Sequence, residues 1–159
     1  MPALISVKDA ISQASQEIGI SQRPVTSAVG SNDQDIAQML ALLSLVADEV
    51  LNEEPYKVTL GDGYWILDGS TLDPKAAITA DSDLIAFEAR LAIDGLKYRF
   101  LKAKGLEFGE ELRDFVSRLN KAAARVNGRL LDLDAAAGSG EYGATPQGWI
   151  NGWQGGRVQ

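Results

Sequence analysis

The chain reads as a mainly α protein: a four-helix bundle with an inserted β-hairpin and an extended C-terminal arm. Three observations predict this. Apolar residues recur at helical spacing in four separate stretches. Residues 56–68 instead hold β-forming residues on both sides of a Gly-Asp-Gly turn. Eight of the sixteen glycines fall from Gly128 onward, among aromatic residues that follow neither period. At 159 residues, 45% hydrophobic and 23% charged, one domain can bury a core without cross-links. The expected division is a bundle over 1–128, with the hairpin at about 56–68, and an arm over 129–159.

The first helix is expected over Val7 to Ile18, with Ser6 as N-cap and Gly19 as its end. Val7, Ala10, Ile11, Ala14 and Ile18 share one face. Ile20 to Gly30, with Pro24, reads as a loop. A second helix is expected from Ser31 or Asn32 to about Leu51. Ser31 and Gln34 have capping-box spacing, and Asp33 and Asp35 suit the positive end of the helix dipole. Its stripe is Ile36, Met39, Leu40, Leu43, Val46, Ala47 and Val50.

Tyr56 to Leu60 and Tyr64 to Leu67 then form the two arms of the hairpin. Gly61, Asp62 and Gly63 supply its tip, where positive φ values are needed. Gly69 to Thr79 reads as a connector. The third helix is expected to open at Asp81-Ser82-Asp83 and to close at Gly105, after Lys102 and Lys104. The fourth is expected from Glu110 to Val126, with Gly128 as its stop. Leu112, Phe115, Val116, Leu119, Ala122, Ala123 and Val126 mark its apolar side.

Beyond the bundle, Ala135-Ala136-Ala137-Gly138-Ser139-Gly140 has the composition of a flexible linker. Tyr142, Pro146, Trp149, Ile150 and Trp153 follow among glycines. A buried Trp hides roughly 150–250 Å², worth on the order of 4–6 kcal/mol before ordering costs. Such anchors fit an arm that docks on another chain, or one that folds back on its own bundle. A free end without a role is the bland alternative, and tryptophan is unusual in one. Extended, Ala135 to Gln159 spans several tens of Å at about 3.3 Å per residue.

Composition narrows the chemistry. The chain has no cysteine and no histidine, which removes disulfides, thiolate sites, the usual general base and the commonest metal ligand. No apolar run nears the roughly 20 residues of a membrane-spanning helix. Met1 to Val7 lacks the basic and apolar regions of a secretory signal, so synthesis and retention in the cytoplasm are expected. The net charge of −7 is uneven. Residues 31–94 hold thirteen acids against three bases, and residues 97–129 hold nine bases against four acids. Two surfaces of opposite sign can steer one copy onto another.

Asp81 and Asp83 carry the spacing of an oxygen-ligand site, but helix capping explains them better. Asp132 and Asp134 fit a solvated edge, and Asp62 fits its turn. Gly138-Ser139-Gly140 lacks the Lys and the strand–loop–helix context of a phosphate loop. Neither a catalytic residue, a metal site nor a cofactor is expected. Arg118, Lys121, Arg125 and Arg129 recur at spacings of three and four and so share one helical face. That face suits plain solvation, an acidic surface on a second copy, or a phosphate backbone.

In layout the chain resembles the head-to-tail adaptor (connector, or tail accessory) proteins of tailed bacteriophages. The resemblance rests on the early helix Val7 to Ile18, the acid-capped helix Asp33 to Leu51 and the aromatic hairpin Tyr56 to Leu67. It continues through Asp83-Leu84-Ile85-Ala86-Phe87-Glu88-Ala89-Arg90-Leu91-Ala92 and the tail Gly128 to Gln159. It implies a non-enzymatic virion protein of the neck, in a ring that is typically dodecameric. Such a ring sits under the portal protein, receives the tail or the next ring, and passes double-stranded DNA without reading its sequence. It also implies that Tyr142, Trp149, Ile150 and Trp153 dock on the portal. Arg118, Lys121, Arg125 and Arg129, with the acidic 31–94 surface, become the two sides of a ring contact. A helical binding module whose tail recruits a cellular or phage partner is the alternative.

Overall fold

The computed structural model describes residues 4–53 and 64–138. Among these, four helices form the core and four two-residue strands make one small antiparallel sheet. The protein is mainly helical, as its periodicity predicts.

Strand β1 (Ile5–Ser6) runs directly into helix α1 (Val7–Glu17). The first N–H groups of a helix have no intrahelical partner. Here three of them find one elsewhere. Val7 N–H donates to the Asp83 carbonyl at 2.8 Å and Lys8 N–H to the Asp81 carbonyl at 3.3 Å. Asp9 N–H donates to Ser6 Oγ at 3.1 Å, which makes Ser6 the expected N-cap. Gly19, at φ +79°, turns the chain out of the helix.

Helix α2 (Gln34–Asn52) begins two or three residues later than its expected start near Ser31 or Asn32. Asp33 is the N-cap and accepts from the N–H groups of Asp35 and Ile36. The Ser31 hydroxyl instead accepts from Asp33 N–H, ahead of the helix. A carboxylate suits the positive helix end better than a hydroxyl does. Ile36, Met39, Leu43, Val46, Ala47 and Val50 are buried, in line with the predicted stripe.

The sheet differs from expectation. The first arm of the hairpin at about 56–68 and its tip, Gly61, Asp62 and Gly63, lie outside the described residues. The second arm survives as β2 (Ile66–Leu67), which pairs with β3 (Pro74–Lys75) and β4 (Leu84–Ile85). The order is β1-β4-β2-β3, with Ile5 opposite Ile85 and Ile66 opposite both Ile85 and Lys75. The stretch read as a connector therefore supplies an edge strand. The stretch read as the start of the third helix supplies a central one.

Helix α3 (Ala89–Ala103) accordingly starts well after Asp81. Asp81 and Asp83 do collect backbone N–H groups, as cap residues would, but from loops. Asp83 accepts from Thr79 and Ala80 at 2.8 and 3.0 Å. Asp81 accepts from Ala28 and Val29 at 2.9 and 2.7 Å. Helix α3 ends as predicted at Gly105, at φ +69°, where Leu106 N–H reaches the Leu101 carbonyl at 2.9 Å.

Helix α3 packs on both α1 and α2. The closest approach is at Gly95, where a Cβ would lie 2.4 Å from Val46 Cγ1 and 3.1 Å from Phe115 Cε2. Phe115 belongs to helix α4 (Gly109–Gly138), and its ring lies 5.2 Å from that of Tyr98. Phe115, Leu119 and Ala122 bury α4's inner side.

Helix α4 does not stop at Gly128, and 129–138 is helical where an extended arm was expected. A helical Gly costs about 1 kcal/mol relative to Ala. The leucines and alanines that follow it are strong helix formers. The chain divides into two compact units, Met1–Ala123 and Ala124–Gln159.

Candidate interaction surface

The charged residues nearest the core are engaged in holding helices together. Glu17, at the end of α1, accepts from Arg90 at 2.5 and 2.8 Å and from Lys97 at 3.0 Å, both on α3. The Arg90 hydrogen bonds, opposed by partial burial, hold the Glu17 carboxyl down at about 2. Asp94, only 2% exposed, faces Arg90 at 3.1 Å and Arg118 at 2.9 Å. On the far side of α3, Glu49 accepts from Tyr98 and Arg99. Burial and this hydrogen bond raise the Tyr98 hydroxyl well above its ordinary range.

A second group closes the sheet end. Asp83 is fully buried and takes both a salt bridge from Lys75 Nζ, at 2.7 Å, and two backbone N–H groups. Burial alone would raise its pKa. The Lys75 and backbone donors overcome that and lower it. Among the described residues, no cluster of three or more acids is placed to hold a metal ion.

The basic stripe divides. Arg118 turns inward to Asp94 and, at 3.9 Å, to Glu88, so it is a fold residue more than a free phosphate contact. Its position one turn after Phe115, whose ring meets Tyr98 of α3, puts it within reach of α3. Lys121 and Arg125 are exposed, Arg125 within the second unit. The side chain of Arg129 lies outside the described residues, as do Tyr142, Trp149, Ile150 and Trp153.

What α4 presents outward within the first unit is Gly109, Leu112, Arg113, Val116, Ser117, Asn120 and Lys121, on one open face. Val116 is 43% exposed. Leu112 is partly buried against the core, as its spacing from Phe115 and Leu119 predicts, whereas Val116, expected on the same apolar side, stands outside the stripe. The acidic 31–94 surface is also thinner than its charge implies, because Asp35, Glu49, Asp68, Asp83 and Asp94 each hold a basic partner within the fold.

One further feature was not anticipated. Between β2 and β3 the chain turns through Asp68 to Asp73. Asp68 Oδ1 accepts from Ser70 N–H at 2.9 Å, Ser70 Oγ at 2.6 Å and Thr71 N–H at 3.2 Å. Asp68 N–H in turn donates to the Asp73 carbonyl at 2.8 Å. Gly69 is required, since a Cβ there would lie 2.1 Å from the Ser82 carbonyl oxygen. Leu72 sits at φ +64°, the one non-glycine in the left-handed region among the described residues, and is 56% exposed. The Asp68-Gly69 pair was a legible turn signal. Nothing in the sequence announces the backbone of Leu72.

No protein-family model matches the chain, and no curated protein or solved structure matches it either.

Proposed function

We propose that the chain is a ring-forming head-to-tail adaptor of a tailed bacteriophage. It is a structural virion protein that joins the portal to the tail and continues the DNA channel. On this reading the helical part is a four-helix bundle, the segment after it docks on the portal, and the chain performs no catalysis.

The observation that carries the reading is the outer face of α4. Val116 is exposed there, between Arg113 and Lys121, on a helix whose other side is packed. Contact surfaces join an apolar centre to a polar rim, and this face has both. The buried acids that an enzyme would use, Asp83 and Asp94, are engaged in ion pairs. A net charge of −7 suits a channel that DNA slides through without adhering.

The test is the state of assembly. The full chain, alone and mixed with a portal ring, is examined by sedimentation velocity and negative-stain electron microscopy. Closed rings coaxial with the portal are expected. A chain that sediments as a monomer in both conditions, with its C-terminal segment equally protease-sensitive in both, defeats the reading.

A further inference from the structure

We propose that α4 is exchanged between copies of the chain. The linker of residues 104–108 straightens, and α4 from Gly109 onward leaves its own core. It takes the same place on a second copy, which returns its own α4. The inference concerns the helical core itself and does not depend on the portal reading.

The first observation is how little of α4 is committed to its core. Among the described residues it buries Phe115, Leu119 and Ala122, whereas α3 buries eight residues along its fifteen. What these few groups meet is specific. The Phe115 ring lies against Tyr98 beside the close approach at Gly95, and Arg118 reaches Asp94 at 2.9 Å. An element with few buried contacts opens at less cost than the whole fold does. The groove it leaves fits a second α4 by construction, because the contacts of an exchanged pair are those of the single chain.

The second observation is the linker. Helix α3 ends because Gly105 takes φ +69°, with its N–H on the Lys102 carbonyl at 3.1 Å and the Leu106 N–H on the Leu101 carbonyl at 2.9 Å. The rest of the linker permits a helix. No proline occurs between Pro74 and Pro146, and Lys104, Leu106 and Glu107 are good helix formers. Turning Gly105 to a negative φ joins α3 and α4 into one rod, and on a rod α4 cannot fold back on its own core. A Cβ at Gly105 would meet nothing within 4 Å, so its left-handed φ is the one obstacle to a side chain there.

Leu106 gives the third. It is 56% exposed in the single chain, at the centre of the linker. A reciprocal exchange runs the two linkers past each other, so that each Leu106 gains the other as apolar cover. The pair therefore adds one contact that the single chain lacks.

The absence of native cysteine lets single cysteines report the exchange. Arg118 of α4 lies 3.9 Å from Glu88, just before α3. Glu88→Cys and Arg118→Cys are made in separate full chains, and circular dichroism checks that each folds. Neither can form an 88–118 link within itself. The two are mixed, partly unfolded in urea, refolded together at high protein concentration and treated with a short bismaleimide. An 88–118 link between chains is expected, identified by peptide mass spectrometry, well above the 88–88 and 118–118 links. Gly105→Ala penalises the turn and leaves the rod unstrained. The dimer dissociation constant, read by sedimentation, should fall about a hundredfold, roughly tenfold for each linker. A Gly-Ser-Gly-Ser insert after Leu106 frees the linker to turn back and should shift the refolded protein to monomer.

Dimers that give 88–88 and 118–118 links as readily as 88–118, or that respond to neither linker change, associate through another surface and overturn the exchange. So does a chain that stays monomeric even as Gly105→Ala. Either result leaves the portal reading to its own ring assay.

Discussion

Gly95 is the position where adding one methyl group should do the opposite of what helix propensity predicts. In an open helix interior, Gly→Ala gains about 1 kcal/mol. Here the new Cβ would stand 2.4 Å from Val46 Cγ1 and 3.1 Å from Phe115 Cε2. Ordinary carbon contacts lie at roughly 3.5–4.0 Å, so Val46 must move by about 1 Å. Val46 is fully buried, so the displacement presses it into packed neighbours. Overpacking of this kind costs about 1–3 kcal/mol, and the size of the displacement puts Gly95→Ala at the upper end. Against the propensity gain the net loss is about 2 kcal/mol. It should lower the melting midpoint by roughly 4–8 °C. Urea unfolding followed by circular dichroism reads it directly. Val46→Ala supplies the control, since it removes the colliding methyl groups. The double variant should be more stable than the sum of the singles by at least about 1 kcal/mol. A Gly95→Ala protein more stable than the parent, or a coupling near zero, would refute the packing of α2, α3 and α4 at this point.

Asp83→Ala should cost about 3 kcal/mol in the same unfolding assay, because it strands Lys75 and two backbone N–H groups beside a buried site; a loss under about 0.5 kcal/mol, the usual surface range, would contradict the geometry. Glu17 has a depressed pKa in the folded chain, so its contribution is present above the ordinary carboxylate value of 4.5 and disappears as pH falls toward about 2. Urea midpoints measured across that window should fall in the parent and fall less steeply in Glu17→Gln; parallel slopes would remove Glu17 as a cause. Leu72→Gly relieves the left-handed strain but enlarges the unfolded ensemble, so monomer stability should stay level or rise by up to about 1 kcal/mol. A large loss of monomer stability would mean that Leu72 serves the fold.

The helices were legible in the sequence wherever local chemistry decides them. Ser6 and Gly19 bracket α1, Gly105 ends α3, and the buried positions of α2 match its apolar spacing. The sheet was not legible, because each strand is two residues long and β1 finds its partner some eighty residues away. Asp81 and Asp83 misled for a related reason. The same acid-rich signal that opens a helix also gathers stray N–H groups from distant loops. Helix α4 overran Gly128 because one glycine is a weak stop without a capping partner after it. Of the candidate surface, the helical face of bases was readable. The inward turn of Arg118 was not, because it depends on Asp94 of another helix. The left-handed backbone of Leu72 left no trace beyond a turn signal.

The opening turn of α1 hangs on groups that the ribosome delivers late. Its first N–H groups are satisfied by the carbonyls of Asp83 and Asp81, and the strand before it by Ile85. At a synthesis rate of about 5–20 residues per second, the intervening stretch takes about 4–16 s to make. Once α2 has been made within that interval, the apolar stripe of α1 has it to lean on, but the N-terminal end of α1 stays open. Closure of the amino end is thus a late event in the life of the nascent chain, timed by translation through β4.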